Sequence, residues 1–543
     1  MKKKFWLLLA ALFTLTLVLS ACSGSKEENK NEGEGKETSR SKELNLVITS
    51  EPPSLHPGLA TDSTSSAILN NVFEGLTTRK GSEVVNAAAE DISISDDQIT
   101  YTIKLRDAKW SNGDPVTAYD FEYAWKWVLN PENASEYASM LYPIKNAEAY
   151  NKGKAKVEDV GIKVEDDKTL VVTLEQPTPY FLEMLAFKTY FPVNKNVAEK
   201  NPKWYTEAGE DYVTNGPFLL DSWNHNKDIT LKKNPTYWDA DNVALEKVNI
   251  TMVESEQTAT TMFDNGEIDF LGSPFQTVAL DAIDQYKSEG ILKIKDYAAI
   301  YVYKFNTTDE ILKNKNIRRA LALAIDRQSL IDNITKGEQK PALGMVPVAI
   351  KGFEEDRGYF KDNDVEEAKK ALEQGMKELG ISKPEDINIT ISFNTSEAHA
   401  AIAQFIQENW RKNLGINATL DNSEWQVYLD KLSNLDYQVG RLGWIADYND
   451  AYTFLEQYDS AQNGNNDTGW ENPEYTRLLR ESNKETDPEK RLELLKQAEA
   501  IIIEEMPVAP IYYYTNLSVA KDYVKNMETD ILGNIYLKYV DVE

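Results

Sequence analysis

The sequence predicts a mixed α/β protein that divides into two or more lobes. Short segments alternate apolar and polar residues with a period of two, as half-buried strands do, and longer segments repeat apolar residues at helical spacing. The two patterns interleave along the chain without strict βαβ regularity. About 500 residues carry them, which is more than one hydrophobic core normally serves. The cleft between the expected lobes is then the default place for a ligand.

Two segments show the strand pattern clearly. From position 99 to position 105 every second residue is apolar, and the residues between them are polar or charged. Positions 170–174 alternate in the same way, and Pro177 and Pro179 then interrupt the pattern. Both segments are therefore predicted to be strands with one face in the core.

Three segments predict helices with recognisable ends. Thr117, with Asp120 three residues later, precedes a helical run and is typical of a capped N-terminus. Apolar residues at helical spacing in 402–410 predict a second helix, which Gly415 would close. Asp487 followed by proline predicts the start of a third helix.

One segment brings together residue types that suit ligand binding. Residues 441–450 read RLGWIADYND and follow a predicted strand at 437–439, before a predicted helix. The segment is therefore expected to be a loop at a strand end. Gly443 would permit close approach by a ligand, and Asp447 beside Trp444 would be a strong acceptor for an ammonium group. From the residues alone, the segment is either a binding site or a surface turn.

The N-terminal residues predict export and attachment to a membrane. Three lysines precede an apolar run from Phe5 to Leu19. This run is shorter than the ~20 residues that a membrane-spanning helix needs, so residues 1–21 are predicted to be a signal peptide. The run leads to Cys22, as in the lipobox of bacterial lipoproteins, whose cysteine is lipidated. A plain secretory signal with an incidental cysteine is the alternative. Residues 22–43 hold no large apolar side chain and are predicted to be a disordered tether.

Charge and cysteine content restrict the function. The net charge is −29; residues 1–21 hold three lysines and no acid, so the mature chain would carry −32. Such a charge argues against nucleic acid and anionic lipid headgroups as general partners. Cys22 is the only cysteine, which excludes a disulfide or a thiolate metal cluster within one chain. No cofactor and no metal are expected.

A series of short motifs follows in order along the body of the chain. They are SLHP at 54–57, FEGL at 73–76, WSNGDPVTA at 110–118, SEYAS at 135–139, TNGPF at 214–218, PTYW at 235–238, GEID at 266–269, NIRRAL at 316–321, NTSEAH at 394–399 and GWIADY at 443–448. This ordered set resembles the oligopeptide- and dipeptide-binding lipoproteins of bacterial ABC importers, the peptide-binding class of extracellular solute-binding proteins. The resemblance extends from about Leu44 to the C-terminus.

The resemblance implies a large two-lobed α/β fold of the periplasmic-binding-protein type, with a hinge and an extra inserted domain. Its implied divisions are a discontinuous lobe I at 44–73, 213–302 and 515–543, an inserted domain II at 74–212, and lobe III at 303–514. Two hinge strands are expected near 302–304 and 512–514.

The resemblance also implies a function without catalysis. A short peptide would lie extended and enclosed between the lobes, held by backbone hydrogen bonds that resemble strand addition. The closed receptor, expected to be a monomer held by its lipid anchor on the outer face of the cell membrane, would deliver the peptide to an ABC permease complex.

The site residues follow from the motifs of that family. Asp447 would pair with the ammonium terminus of the peptide, and Gly443, Trp444 and Ile445 would supply backbone partners and a pocket wall. The further expected ligand-binding residues are Tyr137, Asn394, Trp425, Arg441, His399, Thr61, Asp62 and Ser63. Within that set, Trp425 matches a pocket tryptophan, Arg441 and His399 match cations that meet the C-terminal carboxylate of particular peptide lengths, and 61–63 matches a stretch that pairs with the peptide backbone. A salt-bridge role for Arg441 and a purely structural role for His399 are the alternatives.

The sequence departs from the family pattern in three places. Leu432, with Lys431 beside it, stands where some members carry an arginine. Thr61 and Ser63 stand where some carry a glutamate and a valine, and 138–140 does not end in a second tyrosine. These departures concern peptide length and carboxylate pairing.

A secreted hydrolase is the main alternative from another class of protein. The sequence has neither HExxH nor GxSxG. A Ser-His-Asp arrangement assembled across the fold stays open, with His56, His225 or His399 as its base.

A receptor for a different ligand and a structural adhesin are the remaining hypotheses. Relatives of this class also bind nickel, haem, sugars or signalling peptides, and an adhesin would also fit the anchor. Residues 463–469 faintly resemble a calcium loop but lack the glycine at the sixth position, so a polar turn is the preferred interpretation.

Overall fold

The computed structural model describes residues 41–81, 83–353 and 357–543. The predicted signal peptide, Cys22 and the predicted tether as far as residue 40 lie outside the described residues. Ser41–Glu543 is one structural unit. Its first strand begins at Glu43, the last residue of the predicted tether, because Glu43 pairs with Lys247. The preceding Lys42 forms a 2.6 Å ion pair with Asp541.

The strands lie in five sheets. They are β1 Glu43–Ile48, β2 Thr77–Lys80, β3 Glu83–Asn86, β4 Ala89–Ile94, β5 Thr100–Leu105, β6 Ile162–Asp166, β7 Thr169–Thr173, β8 Phe218–Asn224, β9 Asp228–Lys233, β10 Lys247–Met252, β11 Phe270–Gly272, β12 Lys293–Phe305, β13 Lys340–Pro341, β14 Asn388–Asn394, β15 Asn417–Ser423, β16 Val439–Ile445, β17 Val508–Ala520, β18 Val524–Lys525 and β19 Asp541–Val542.

Helices interleave with these strands, as the sequence predicted. They are α1 Ser63–Val72, α2 Ala118–Leu129, α3 Ala147–Asn151, α4 Phe181–Met184, α5 Lys195–Lys200, α6 Glu256–Asp264, α7 Ile283–Glu289, α8 Lys315–Leu323, α9 Arg327–Leu330, α10 Val365–Leu379, α11 Glu397–Leu414, α12 Trp425–Ser433, α13 Tyr452–Leu455, α14 Pro473–Ser482 and α15 Pro488–Glu505.

Two four-stranded sheets are made from the N-terminal half. One has the order β1-β10-β9-β8, with β1 parallel to β10 and the other pairs antiparallel. The other is antiparallel, in the order β4-β5-β7-β6. It contains both strands predicted from alternation, and Tyr101, Ile103, Leu170 and Val172 are buried as predicted.

A seven-stranded sheet joins distant parts of the chain. Its order is β11-β17-β12-β16-β14-β15, and β13 adds to β17. The long strands β12 and β17 pair along most of their length, but their register shifts between Asp296 and Ile300 and again between Tyr301 and Val302. Such irregularities bend a ladder locally, so these two strands change direction beside residues 297–302.

The predicted helices with recognisable ends are confirmed. Thr117 and Asp120 form a capping box at the start of α2. α11 ends at Gly415, which has a left-handed φ of 73°, a conformation that glycine adopts without steric cost. α15 follows Asp487, whose carboxylate accepts the backbone N–H groups of the first helical turn.

The prediction of a loop over residues 441–445 is wrong. These residues continue β16, which pairs antiparallel with β12 from Phe305–Val439 to Ala299–Ile445. Arginine and glycine are weak strand formers, so the local pattern hid the strand. Pairing with a strand more than a hundred positions away overrode the local preference. Only the residues after Ile445 leave the sheet before α13.

No helix among residues 41–81, 83–353 and 357–543 is long and apolar enough to cross a membrane.

Candidate functional site

A cavity of about 550 Å³ is lined mainly by stretches within 49–79, 136–188, 254–297, 394–467 and 512–536. The structure brings to it all of the residues that the sequence analysis assigned to ligand binding. They are Thr61, Asp62, Ser63, Tyr137, Asn394, His399, Trp425, Arg441, Gly443, Trp444, Ile445 and Asp447. That these residues line one cavity is a feature of the folded chain. That they contact a ligand stays a prediction.

Asp447 lies two residues beyond the end of β16. The Tyr137 hydroxyl donates to Oδ1 of Asp447 at 3.2 Å. The Thr453 hydroxyl lies 3.5 Å from Oδ2 and accepts the Asp447 N–H at 3.2 Å. Burial raises the pKa of Asp447 to about 7, although the nearby charge of Lys188 and these hydrogen bonds lower it. A buried carboxylate that is costly to leave ionised gains from a cationic partner.

The edge of β16 next to Asp447 is open on one side. Its ladder with β14 consists of Ile391–Val439 and Ser392–Gly440, whereas its pairing with β12 continues to Ile445. Backbone N–H and C=O groups alternate between the two edges of a strand. Every second residue of 441–445 therefore directs its backbone groups to the side where an extended ligand can pair. The Arg441 carbonyl on that side already accepts the Tyr428 hydroxyl at 2.7 Å.

Gly443 lies where a side chain would crowd the cavity wall. A Cβ at this position would lie 3.0 Å from the Tyr514 hydroxyl oxygen and 3.6 Å from Nη2 of Arg441. Absence of a side chain thus keeps Tyr514 and Arg441 in place beside the open edge.

Arg441 is a buried cation held by neutral groups. Nη1 donates to Oδ1 of Asn394 at 3.0 Å, and Nη2 donates to the Tyr514 hydroxyl at 3.0 Å. The guanidinium carbon lies 4.8 Å from the centre of the Tyr301 ring. Its Nε is buried without a hydrogen-bond partner among the described residues, and no described carboxylate lies within 4.0 Å of the guanidinium. The group retains an unused donor and an unneutralised charge.

His399 shares this end of the cavity in a neutral form. Burial and the charge of Arg441 lower the pKa of His399 well below its usual range. Its Nδ1 lies 3.4 Å from the Tyr301 hydroxyl. Of the two expected cations, Arg441 is therefore the one that is charged at pH 7.

Trp425 and Asp62 lie at the N-terminal ends of two helices that border the cavity, α12 and α1 respectively. Trp425 is the first residue of α12, and its indole Nε1 is buried with no partner in the described part of the chain. Asp62 caps α1, accepting the Ser65 N–H at 2.9 Å and the Ser65 hydroxyl at 2.7 Å. The Asp62 carboxylate is therefore committed to the helix, which leaves Thr61 and Ser63 as the half-buried members of that stretch.

The departure at Leu432 has a structural consequence. Leu432 is 1 % exposed and packs in a small cluster with Tyr428 and Tyr437. Its neighbour Lys431 forms a 2.9 Å ion pair with Asp421 and does not line the cavity. Neither residue supplies the charge that the arginine of other members would bring.

Sequence reasoning missed several residues of the cavity. Lys188, Tyr301, Tyr514 and Thr453 all contact the expected ligand-binding residues or line the same space. Only Lys188 has a local signal, since it is the one charged residue in the apolar stretch 184–193.

The remaining two histidines lie elsewhere. His56 is packed against the rings of Trp127, Trp204 and Tyr205, and burial lowers its pKa to about 3. His225 pairs with Glu51 and Glu207 near the surface. In the calcium-like segment, the Asp467 carboxylate is occupied by Lys304 at 2.8 Å. The described residues contain no group of three or more His, Cys, Asp or Glu side chains that could hold a metal.

The fold and its likeness to solved structures define a two-lobed α/β solute-binding protein. The model of the bacterial extracellular solute-binding proteins, family 5 Middle, matches residues 83–466. The chain belongs to this family. It is a solute-binding protein, not the hydrolase considered as an alternative.

Individual relatives are similar over nearly the whole chain. The oligopeptide-binding protein OppA of Bacillus subtilis is 51% identical over 544 residues, covering 99% of this chain and 99% of OppA. The crystal structure of Haemophilus influenzae OppA in complex with RPPGFSPFR superposes with a TM-score of 0.87 at 30% identity, covering 92% of this chain and 99% of that one.

Two structures of one relative, MppA, allow the lobe arrangement of this chain to be compared with an open form. The murein tripeptide binding protein MppA of Escherichia coli superposes in one structure with a TM-score of 0.87, at 30% identity and with 92% of this chain and 98% of MppA covered. Its unliganded open form gives 0.63, at 29% identity with 92% and 97% covered. The arrangement described for this chain therefore differs from that open form.

Proposed function

We propose that this protein is an extracytoplasmic receptor that encloses short peptides and delivers them to an ABC importer. The observation that supports it best is the cavity, which brings together an unneutralised acid, an open strand edge and an unneutralised cation. A peptide has the complementary groups in that order: an ammonium terminus, an extended backbone and a carboxylate. The similarity to proteins named for oligopeptide binding supports the same ligand class.

In the proposed complex, the ammonium terminus pairs with Asp447. The backbone of the peptide adds to the open edge at 441–445, which makes binding tolerant of sequence because main-chain groups are common to all peptides. The C-terminal carboxylate of a peptide of suitable length reaches Arg441. Trp425 borders a side-chain pocket.

Closure of the lobes around the peptide completes the proposed mechanism. The proposed division is lobe I at 44–73, 213–302 and 515–543, domain II at 74–212 and lobe III at 303–514. The register shifts of β12 and β17 fall at this division, so the hinge is proposed to lie there. The similarity to structures other than the open form of MppA supports a closed arrangement.

Two helices cap each other across this proposed division. The Glu256 carboxylate accepts the Ser396 hydroxyl at 2.6 Å and the Ala398 N–H at 3.1 Å, at the start of α11. In return, the Glu397 carboxylate accepts the Ser255 hydroxyl at 2.7 Å and the Glu256 N–H at 2.8 Å, at the start of α6. These reciprocal caps exist only while the two helix ends stay together.

Replacing both Glu256 and Glu397 with alanine is expected to favour the open receptor. A side-chain cap at a helix start contributes ~1 kcal/mol, so loss of both shifts the closed-to-open ratio by roughly thirtyfold. Small-angle scattering without peptide is expected to give a larger radius of gyration, which saturating peptide restores. The exposed Glu367, changed to alanine, is the control. An unchanged radius of gyration and an unchanged rate of peptide release in the double variant would contradict the role of the caps.

Attachment through Cys22 is proposed from the sequence alone. Replacing Cys22 with alanine is expected to move most of the receptor from the membrane fraction to the soluble extracytoplasmic fraction, because the proposed anchor is the lipid on this cysteine. Ser25→Ala is the control. Cell fractionation with immunoblotting measures the distribution, and a Cys22 variant that stays in the membrane pellet would count against lipidation.

Native mass spectrometry of the body purified from a peptide-rich medium tests the proposed function directly. Bound masses that differ by amino-acid increments would support peptide binding and give the lengths accepted. A single non-peptide mass, or an empty spectrum together with no thermal shift in a mixed peptide library, would contradict it.

A further inference from the structure

Lys188 is a buried ammonium group that points to the cavity without a partner. It begins a short 3₁₀ segment, Lys188–Tyr190, is 3 % exposed and lines the cavity. In the described residues, its Nζ makes no hydrogen bond, and no carboxylate oxygen lies within 4.0 Å. Its contacts are the faces of two rings, with Nζ 4.0 Å from the centre of Phe187 and 4.9 Å from that of Tyr137.

The same tyrosine connects Lys188 with the proposed ammonium site. Tyr137 presents its ring to Lys188 and donates its hydroxyl to Asp447. Lys188 and Asp447 are therefore separated by about one aromatic side chain, across the cavity end that is proposed to hold the peptide N-terminus. Burial lowers the pKa of Lys188 to about 8, while the charges of Asp447 and Asp62 raise it, so Lys188 is mostly protonated at pH 7.

The charges that face Lys188 do not neutralise it once a peptide is bound. Asp62 is committed to the N-terminus of α1, and in the proposed complex Asp447 pairs with the incoming ammonium. Lys188 and the peptide terminus then both lie beside Asp447. Asp62, whose charge also raises the pKa of Lys188, forms no ion pair with it. Leaving a buried charge without a partner is costly. A carboxylate on the ligand near its N-terminus would remove that imbalance.

We infer that Lys188 selects peptides whose first residue has a carboxylate side chain. The side chain of the first residue leaves the same Cα as the ammonium, so an aspartate or glutamate there lies near both Asp447 and Lys188. A lysine or arginine in that place would add a third cation and is disfavoured. This inference rests on the proposed pairing of Asp447 with the peptide terminus and adds a preference to it.

Isosteric peptides separate this preference from general peptide binding. Calorimetry would compare Asp-first with Asn-first alanine peptides of three, four and five residues, on the wild type, on Lys188→Met and on Lys227→Met. Lys227 has a side chain 77% exposed and does not line the cavity, so its variant controls for the loss of one positive charge.

The expected result is a wild type that binds Asp-first peptides at least tenfold more tightly than Asn-first peptides. Lys188→Met is expected to bring the two affinities within threefold of each other while keeping its affinity for Asn-first peptides, and Lys227→Met is expected to keep the tenfold ratio. A wild-type ratio near one, with both peptides bound, would overturn the inference and leave the proposed function intact. No binding of any peptide by the wild type would overturn both. If Lys188→Met fails to fold, Lys188→Arg takes its place. This variant keeps the charge and is expected to keep the tenfold ratio of the wild type, and a wild-type ratio near one would still overturn the inference.

Discussion

Replacing Asp447 with alanine is expected to lower the affinity for short peptides at least a hundredfold while leaving the fold intact. Enclosure removes bulk water from the pair formed by the carboxylate and the ammonium, so the pair contributes more than a surface ion pair does. Truncating one partner of such a pair typically costs ~2–5 kcal/mol, which corresponds to roughly thirtyfold to several thousandfold in affinity. The buried position of Asp447 puts the expected loss above the lower end of this range. Calorimetric titration with a peptide known to bind the wild type measures the loss.

A matched control uses the peptide instead of the protein. Acetylation of the peptide N-terminus removes the ammonium charge and is expected to weaken binding to the wild type as strongly as Asp447→Ala does. The Asp447→Asn variant, which keeps the shape of the side chain, is expected to bind free and acetylated peptides within a few-fold of each other. A loss below threefold in the alanine variant would assign the ammonium to another group.

The raised pKa of Asp447 gives the same pairing a pH dependence. Its pKa of about 7 in the empty receptor lies above the ordinary value of 3.8 because burial disfavours the charged form. An ammonium binds the ionised carboxylate, so peptide affinity is expected to fall as the pH drops below 7, by up to about tenfold per pH unit. In Asp447→Asn, this part of the pH profile should disappear.

The free energy of unfolding of the peptide-free receptor is expected to fall as the pH rises, whereas its peptide affinity is expected to rise. A raised pKa in the folded state means that folding favours the protonated Asp447. The corresponding stability is complete below pH ~4 and is lost as the pH rises through 7. Asp447→Asn is therefore expected to raise the melting temperature relative to the wild type more at pH 8 than at pH 5, which differential scanning calorimetry can follow.

Local patterns predicted the elements whose neighbours are close in sequence. The capping box of α2 and the C-cap of α11 depend on residues a few positions apart, so they were visible in the sequence. The strand at 441–445 was not, because its pairing with β12 supplies the order that its own residues do not favour. Strand propensity depends strongly on such tertiary context.

The residues of the cavity also differ in whether their neighbours are near or far in the sequence. Asp447 and its neighbours at 443–445 form one motif and could be named from it. Lys188 acquires its position only when the fold brings it to Tyr137 and Asp447, and the last two are themselves 310 positions apart. Distances and pKa shifts across such gaps follow from the folded chain, and no spacing in the sequence encodes them.

Replacing Arg441 with methionine is expected to weaken binding of one peptide length far more than the others. Arg441 precedes Asp447 by six residues, and an extended chain of that length spans at most about 20 Å. A peptide whose ammonium lies at Asp447 therefore brings its carboxylate to the guanidinium only at a length of roughly three to five residues. For that length the expected loss is ~2–5 kcal/mol, because the carboxylate would be left enclosed without its cation. Longer and shorter peptides are expected to lose less than threefold.

An alanine ladder from two to seven residues, titrated by calorimetry as free acids and as C-terminal amides, identifies the length that uses Arg441. Amidation is expected to reproduce the loss in the wild type at that length, and to add nothing in Arg441→Met, since the pair is already absent. Methionine fills much of the space of the buried arginine without its charge, and a variant that still binds the other lengths has retained its fold. A loss spread evenly over all lengths would instead make Arg441 a structural support of Asn394 and Tyr514. The peptide carboxylate would then be held elsewhere in the cavity.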